Sequence, residues 1–211
     1  MAQVLLDKIM SACVKGICNA QRDYATWSGG LWLWEAPEYL SGTYVAQEIC
    51  RIAGKTGGWF LTMENSAKEA MKDAGVGKGK LHSDIRSNGR FDLLLWWANG
   101  KPRAPIEIKC QVTEFRKIRK DIERLNKVIH RNKMDSSFEF GMSVFYTSSK
   151  KRTGAAAREV TKQRIDNIVK GAKDLVDNNT IVKFKSSSIK VVENSAWAAI
   201  AIVLKSARKS A

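Results

Sequence analysis

A predicted β-hairpin, with strands over residues 90–97 and 105–112, constrains this chain more than any other segment. The first strand places Asp92 directly before five apolar residues, and the second alternates Glu107 and Lys109 with apolar residues. Because side chains alternate between the two faces of a strand, Glu107 and Lys109 share one face. Strands this apolar are usually covered on both sides, where ionised groups are costly unless they are paired or bind a metal. The charges therefore indicate a functional site. A cross-strand salt bridge on a solvated face is the alternative.

The size and charge of the chain favour one globular domain with a polyanionic partner. The 211 residues are enough to bury a sizeable core, and 44% of them are hydrophobic, which is not the composition of a disordered chain. Lys and Arg number 36 against 21 Asp and Glu, so the formal net charge is +15. This excess favours nucleic acid as the partner, with an anionic membrane surface second. A basic protein without such a partner is the remaining alternative.

The cysteines and the apolar segments favour a cytoplasmic protein without a membrane span. No two of the four cysteines are spaced as Cys-x-x-Cys, and the two histidines complete no zinc motif. We therefore expect reduced thiols, as in the cytoplasm. The first residues lack the basic leader and long apolar core of a signal peptide. The apolar run over residues 196–204 is too short to cross a bilayer.

Periodicity along the chain predicts an α/β protein. Apolar spacing predicts helices and the alternation of apolar residues predicts strands. The predicted helices span residues 2–20, 37–54, 66–74, 114–132 and 155–177. In addition to the two strands of the hairpin, the predicted strands span residues 59–63, 138–147, 181–192 and 196–205. From residue 37 the main order is helix, strand, strand, strand, helix, strand. We expect a central mixed β-sheet flanked by helices, in one domain over 1–211.

The hairpin charges carry the chemistry of metal-assisted phosphodiester hydrolysis. Asp92 and Glu107 lie on adjacent strands and supply hard oxygen ligands, which suit Mg²⁺ or Mn²⁺. Such an ion binds a phosphate oxygen, lowers the pKa of a water and stabilises the leaving oxygen. Lys109 is predicted to hold the attacking water or to neutralise charge on the phosphate. The backbone carbonyl of Cys110 is a further candidate metal ligand.

These residues and their setting resemble the PD-(D/E)xK nuclease superfamily, which has the restriction-endonuclease-like fold. The resemblance rests on Asp92, a spacer of fourteen residues and a Glu-x-Lys motif at Glu107 and Lys109, inside an αβββαβ order. It covers about residues 35–147, and leaves 1–34 and 148–211 as N-terminal and C-terminal additions. It implies Mg²⁺ as the cofactor, with Mn²⁺ able to substitute. Phe91 stands where the motif has proline, which many members also lack.

The resemblance also implies one more carboxylate, because many members of the superfamily use a Glu from the first core helix. Glu38 is the preferred candidate, since an early helix position can lie over the sheet edge, and Glu48 and Glu35 are the others. Gln111 extends the motif to Glu-x-Lys-x-Gln, which some members show. The expected catalytic residues are Asp92, Glu107, Lys109 and Glu38.

Basic residues after the hairpin are candidates for contacts to a nucleic acid backbone. They lie on the predicted helix over 114–132 and in the loop that follows the next strand. The set is Arg116, Lys117, Arg119, Lys120, Arg124, Lys127, Lys150, Lys151 and Arg152. A solvated outer face is the alternative interpretation of this helix. Trp27, Trp32 and Trp34 are expected in core or lid packing, with base stacking as the alternative.

The function expected from the sequence is metal-dependent endonucleolytic cleavage of nucleic acid, with DNA preferred as the substrate. A non-catalytic DNA-binding module is one alternative, and a nuclease-like subunit that acts only with a partner protein is another. A homodimer through the C-terminal strands is compatible with the sequence. The choice between duplex, single-stranded, branched and RNA substrates stays open at this point.

Overall fold

The computed structural model of the protein describes residues 2–56, 58–79, 81–131 and 135–207. Within these residues, seven strands form one sheet and five α-helices flank it. In chain order the elements are α1 (Ala2–Trp27), α2 (Glu38–Thr56), β1 (Trp59–Ser66), α3 (Ala67–Asp73), β2 (Arg90–Trp97), β3 (Pro102–Lys109), α4 (Arg119–His130), β4 (Gly141–Lys150), α5 (Gly154–Leu175), β5 (Thr180–Ser186), β6 (Lys190–Val192) and β7 (Ser195–Ser206). The predicted mixed α/β architecture is confirmed.

The sheet is mostly antiparallel, and its strand order is β1-β2-β3-β4-β7-β5, with β6 paired to β7. The first three strands form an antiparallel meander. Among the described strands, β3 and β4 are the one parallel pair, with Lys109 opposite Phe145. A parallel pair needs a crossover connection, and α4 supplies it. The ends of β1, β3 and β4 and the starts of β2 and β7 therefore lie at one edge of the sheet.

Several element boundaries differ from the predicted ones. β3 begins at Pro102, three residues before the predicted start, because Arg103 is buried in the strand rather than exposed in a turn. Its guanidinium bonds Glu139 at 2.9 Å and lies 4.2 Å from the ring centroid of Trp97. A 3₁₀ turn, Phe115–Lys117, replaces the predicted first turn of α4, and predicted residue 132 lies outside the described ones.

Hydrophobic clusters cover both faces of the sheet. One cluster joins α1 and α2 to the face that carries Leu93, Ile106 and Ile108. The second joins α4 and α5 to the opposite face of β4 and β7. Burial on both faces accounts for the continuous apolar sequence of β7, since no face of this strand meets solvent. No described helix combines the length and the apolar character that crossing a membrane requires.

The crossing of α1 and α2 depends on a glycine. A Cβ at Gly16 would lie 2.6 Å from the Cα of Val45 and 2.9 Å from the carbonyl oxygen of Tyr44. Both are backbone atoms of α2, so they cannot move aside as a flexible side chain would. The sequence therefore needs glycine inside α1, although glycine weakens a helix interior relative to alanine.

We predict that Gly16→Ala lowers the free energy of unfolding by about 1–3 kcal/mol, because the helices must separate to admit the methyl group. Urea denaturation of the variant and the parent would measure it. Thr26→Ala, at an exposed position of the same helix, is the control. Stabilisation by Gly16→Ala, as helix propensity alone dictates, would contradict the close crossing.

Candidate functional site

Asp92 lies where strands β2 and β3 separate. The pairing of the two strands ends at Leu93 and Ile106. Beyond this pair, the Ile108 amide donates a hydrogen bond of 2.6 Å to Asp92 Oδ2. The carboxylate thus takes the place of a main-chain acceptor at this edge of the sheet. Its side chain is half-buried, so the site begins at the boundary between the core and solvent.

Glu38, the first residue of α2, joins that helix to the end of β3. The Lys109 Nζ donates to Glu38 Oε1 at 3.0 Å, and the Cys110 amide donates to Glu38 Oε2 at 3.1 Å. Of the three candidate glutamates, Glu38 is therefore the one that the structure brings to Lys109. The Cys110 contact is through its amide, whereas its carbonyl was the predicted ligand. The side chain of Lys109 keeps 32% exposure, enough to meet a bound molecule.

Glu107 forms a buried ion pair with Arg124 of α4. Arg124 Nη1 donates to Glu107 Oε1 at 2.5 Å, and the two side chains are 3% and 5% exposed. The guanidinium also donates to the carbonyl oxygens of Ile85 and Arg90, at 2.9 and 2.8 Å, and covers the ring of Phe91. The prediction that Arg124 contacts a nucleic acid backbone is corrected, because this arginine holds an internal carboxylate.

Burial shifts the pKa values of both strand carboxyls upward. For Glu107, burial raises the pKa to about 8 against the attraction of Arg124, and the charge of Asp92 raises it further. For Asp92, burial also raises the pKa, while the Ile108 amide and Lys109 oppose the shift. Burial lowers the pKa of Lys109, but the surrounding carboxylates, Glu38 foremost, leave it above its ordinary value. Lys109 is therefore cationic beside two carboxyls that resist ionisation.

Glu64 is a site residue that the sequence analysis missed. It lies opposite Asp92 in the register, between the paired residues Met63–Leu93 and Asn65–Phe91. Its φ of 54° is in the left-handed region, which is uncommon for a residue other than glycine. The predicted strand ends at residue 63, one residue before this glutamate. A strand reaching residue 66 would have placed it beside Asp92.

The carboxylates of Glu38, Glu64 and Asp92 line one small cleft. It has a volume of ≈ 120 Å³ and is completed by Tyr39, Gly42, Met63 and Ile108. Carboxylate oxygens are hard donors that suit a divalent cation. Among the described residues, however, no three His, Cys, Asp or Glu side chains are gathered closely enough to hold a metal ion as they stand. Glu38 already accepts hydrogen bonds from Lys109 and Cys110.

The remaining candidates of the extended site lie elsewhere. Glu48 is buried between α1 and α2, where Asn19 Nδ2 and Lys15 Nζ each lie 2.9 Å from its carboxylate, and Arg51 also pairs with it. Glu35 accepts from the Trp32 amide at 3.1 Å and caps a short 3₁₀ turn, Leu33–Glu35. Both glutamates serve the N-terminal helices, so their predicted place in the site is corrected. Gln111 Nε2 donates to Ser148 Oγ at 3.1 Å, next to the end of β4.

The other basic candidates are exposed. They occupy the 3₁₀ turn before α4, the outer face of α4 and the end of β4. The exposed set is Arg116, Lys117, Arg119, Lys120, Lys127, Lys150, Lys151 and Arg152. Arg116 pairs with Glu114, and Arg119 pairs with Glu123 one helical turn away. Their exposure is compatible with phosphate contacts and equally with a solvated face.

Comparison of the chain with protein-family models, with curated proteins and with solved structures finds no match.

We predict that Arg124→Met lowers the free energy of unfolding by about 3–5 kcal/mol, because it leaves Glu107 buried without its partner. Urea denaturation at about pH 9, above the raised pKa of Glu107, where the carboxylate is ionised, would measure the loss. Lys127→Met, on the exposed face of the same helix, should stay within about 0.5 kcal/mol of the parent. Adding Glu107→Gln to Arg124→Met should recover part of the loss. A double variant no more stable than Arg124→Met would show that the ion pair is not the cause.

We also predict a pH dependence of stability that belongs to Glu107. Its pKa is about 8 in the folded chain, against an ordinary value of 4.5, so the folded state holds a proton that the unfolded state releases. The free energy of unfolding should therefore fall as the pH rises from about 4.5 to about 8. In the Glu107→Gln variant, the free energy of unfolding should no longer show this decrease between about pH 4.5 and about pH 8. The Glu123→Gln variant, changed on α4, should show the same decrease as the parent. Parallel slopes for the parent and Glu107→Gln would contradict the raised pKa.

Proposed function

We propose that this protein is a metal-dependent nuclease that hydrolyses phosphodiester bonds, most readily those of DNA, on a restriction-endonuclease-like core. The observation that carries the proposal is the gathering of Glu38, Asp92, Glu107 and Lys109 at one edge of the sheet. The core order also supports it, since α2, the meander of β1 to β3, the crossover α4 and the parallel β4 follow one another, with the short helix α3 inserted between β1 and β2. This is the order that the sequence resemblance implies.

The donor set of the cleft has the chemistry that suits a divalent cation. Burial, with added repulsion from the carboxylates of Glu38 and Glu64, raises the pKa of Asp92. A bound cation would offset the repulsion among these partly desolvated carboxylates, which the positive charge of Lys109 offsets only in part. Asp92 and Glu64 would hold it, with Glu38 at the rim. Glu107, which the sequence predicts as a metal ligand, is instead paired with Arg124 behind these residues. When bound, it would polarise a phosphate oxygen and lower the pKa of a water.

Lys109 is the residue that acts on the substrate in this proposal. Its ammonium group stays cationic, is partly exposed and is held at 3.0 Å by Glu38. An ammonium group held in this way can orient a water for in-line attack and neutralise the charge that develops on the phosphate. Glu38 positions it and, through the Cys110 amide, fixes the end of β3 against α2. The exposed basic residues around α4 and β4 would hold the backbone of the nucleic acid.

A DNA-binding module without catalysis is the second candidate function. The observation that favours it is the internal pairing of the site: Glu107 with Arg124, and Glu38 with Lys109. Paired charges of this kind also occur in purely structural clusters. Such a module would bind DNA with a steep dependence on salt and would not need a metal.

We predict that the protein nicks or cuts plasmid and single-stranded DNA in Mg²⁺ or Mn²⁺ and not in EDTA. Lys109→Ala and Asp92→Asn should each lower the cleavage rate by about 10²–10³-fold. The first removes the positive charge at the reacting phosphate, and the second weakens binding of the metal ion. Gel assays at a fixed protein concentration would measure the rates. Lys170→Ala, at an exposed position on α5, should cleave like the parent.

Circular dichroism of each variant would establish that it folds. No cleavage by the parent in any metal, together with tight binding that Lys109→Ala leaves unchanged, would exclude the nuclease and support the binding module. Cleavage that appears only when a second protein is added would instead support a partner-dependent subunit.

A further inference from the structure

We propose that the site takes an unpaired strand of DNA, whose bases stack on aromatic side chains beside the carboxylate cleft. The inference rests on the proposed function, since it names the substrate class of the same site. The aromatic platform, as we name it, consists of Trp32, Trp34 and Tyr39. It occupies the segment between α1 and α2 and the first turn of α2.

The platform presents aromatic surface to solvent. Trp34 is 38% exposed and Tyr39 is 63% exposed. The rings of Trp32 and Trp34 are stacked, with centroids 5.2 Å apart and planes 9° from parallel. Tyr146 of β4 also contacts Trp34, with centroids 6.3 Å apart. Trp34 is thus supported by neighbours while part of its surface remains open, so little conformational entropy would be lost when a base stacks on it.

The segment that carries the platform is anchored by residues other than the exposed rings. Leu33 and Ala36 are the buried residues that fix it to the core. The Leu33 amide donates to Gln21 Oε1 at 2.9 Å, and Cys110 Sγ lies 3.4 Å from the Leu33 carbonyl oxygen. The side chains of Trp34 and Tyr39 therefore remain exposed on a segment that other residues already anchor. Exposed large apolar side chains that come in groups mark contact surfaces.

The platform and the reactive groups share the same supports. Tyr39 lines the cleft together with Asp92 and follows Glu38 directly in sequence. Cys110 binds Glu38 through its amide and the platform segment through its sulfur, and it follows Lys109 directly. Three residues separate Trp34 from Glu38, so four Cα-to-Cα steps limit the distance between their Cα atoms to roughly 14 Å. A base stacked on the platform would belong to a nucleotide close to the reacting phosphate.

The charge around the platform fits a nucleic acid strand. Trp34 contacts Tyr146, and β4 continues from there to the exposed basic residues Lys150, Lys151 and Arg152. The net charge of +15 adds attraction for a polyanion at longer range. Proteins that bind single strands combine a basic track for the backbone with aromatic rings for the bases. In a duplex the bases are already stacked on one another, so the rings would gain little from it.

Binding of fluorescent oligothymidine, followed by anisotropy in EDTA, would test the inference without turnover. Trp34→Ala and Tyr39→Ala should each weaken the affinity for this strand by about 5- to 150-fold, the range expected for one stacked base. Affinity for a blunt duplex of the same length should change by less than about twofold, since only phosphate contacts remain. Trp34→Phe and Tyr39→Phe should retain most of the single-strand affinity.

Phe184→Ala is the matched control, because Phe184 is a 46% exposed aromatic on β5, away from the site. Near-ultraviolet circular dichroism and thermal unfolding would establish that the variants fold. Unchanged single-strand affinity in both alanine variants, or an equal loss for the duplex, overturns the inference. So does conversion of a dimer to a monomer by Trp34→Ala, which would make the platform a contact between copies of this chain.

The two proposals fail separately in these experiments. Metal-dependent cleavage with no role for Trp34 and Tyr39 would leave the nuclease in place and remove the single-strand preference. Strand binding that depends on both residues, with no cleavage in any metal, would remove the nuclease and leave the stacking surface.

Discussion

The ion pair between Glu107 and Arg124 is the contact through which the crossover helix and the central strands hold one another. A carboxylate on β3 meets a guanidinium from α4 with both side chains nearly without solvent exposure. The same guanidinium binds the carbonyl oxygen of Arg90 at the start of β2 and that of Ile85 in the preceding loop. One side chain therefore fixes the position of the two strands that carry Asp92 and Lys109. Because a buried pair contributes little net stability over an apolar one, its value lies in the arrangement that it specifies.

Alternation along β3 was sufficient to predict that Glu107 leaves the face of the isoleucines, and the structure agrees. Ile106 and Ile108 join the cluster under α1 and α2, while Glu107 meets α4. An early helical position was likewise sufficient to place Glu38 near the sheet edge. The first prediction depends on the period of one strand, and the second on the position of a residue within one helix.

Arg124 and Glu64 were out of reach for the opposite reason. Arg124 lies beside the apolar stripe of α4, and its burial depends on a carboxylate seventeen residues away in another element. One feature of the sequence could have indicated that Arg124 is buried. It lies one helical turn from Asp121 and from Val128, which are also buried. Glu64 depends on how far β1 extends and on a left-handed φ, which a glutamate rarely adopts. Period and propensity describe single elements, whereas these two positions depend on how separate elements pair.

The topology of the sheet brings chemistry from five elements to one edge. Because β3 and β4 are parallel, Lys109 and the basic residues after β4 emerge on the same side, and the antiparallel β1 and β2 add Glu64 and Asp92 there. The start of α2 then closes this edge with Glu38 and Tyr39. Four kinds of group therefore meet at this edge: carboxylates, an ammonium group, exposed aromatic rings and a set of basic residues. Packing of the core does not require any of them to be exposed. The proposed substrate, a strand that carries both phosphates and bases, would contact all four.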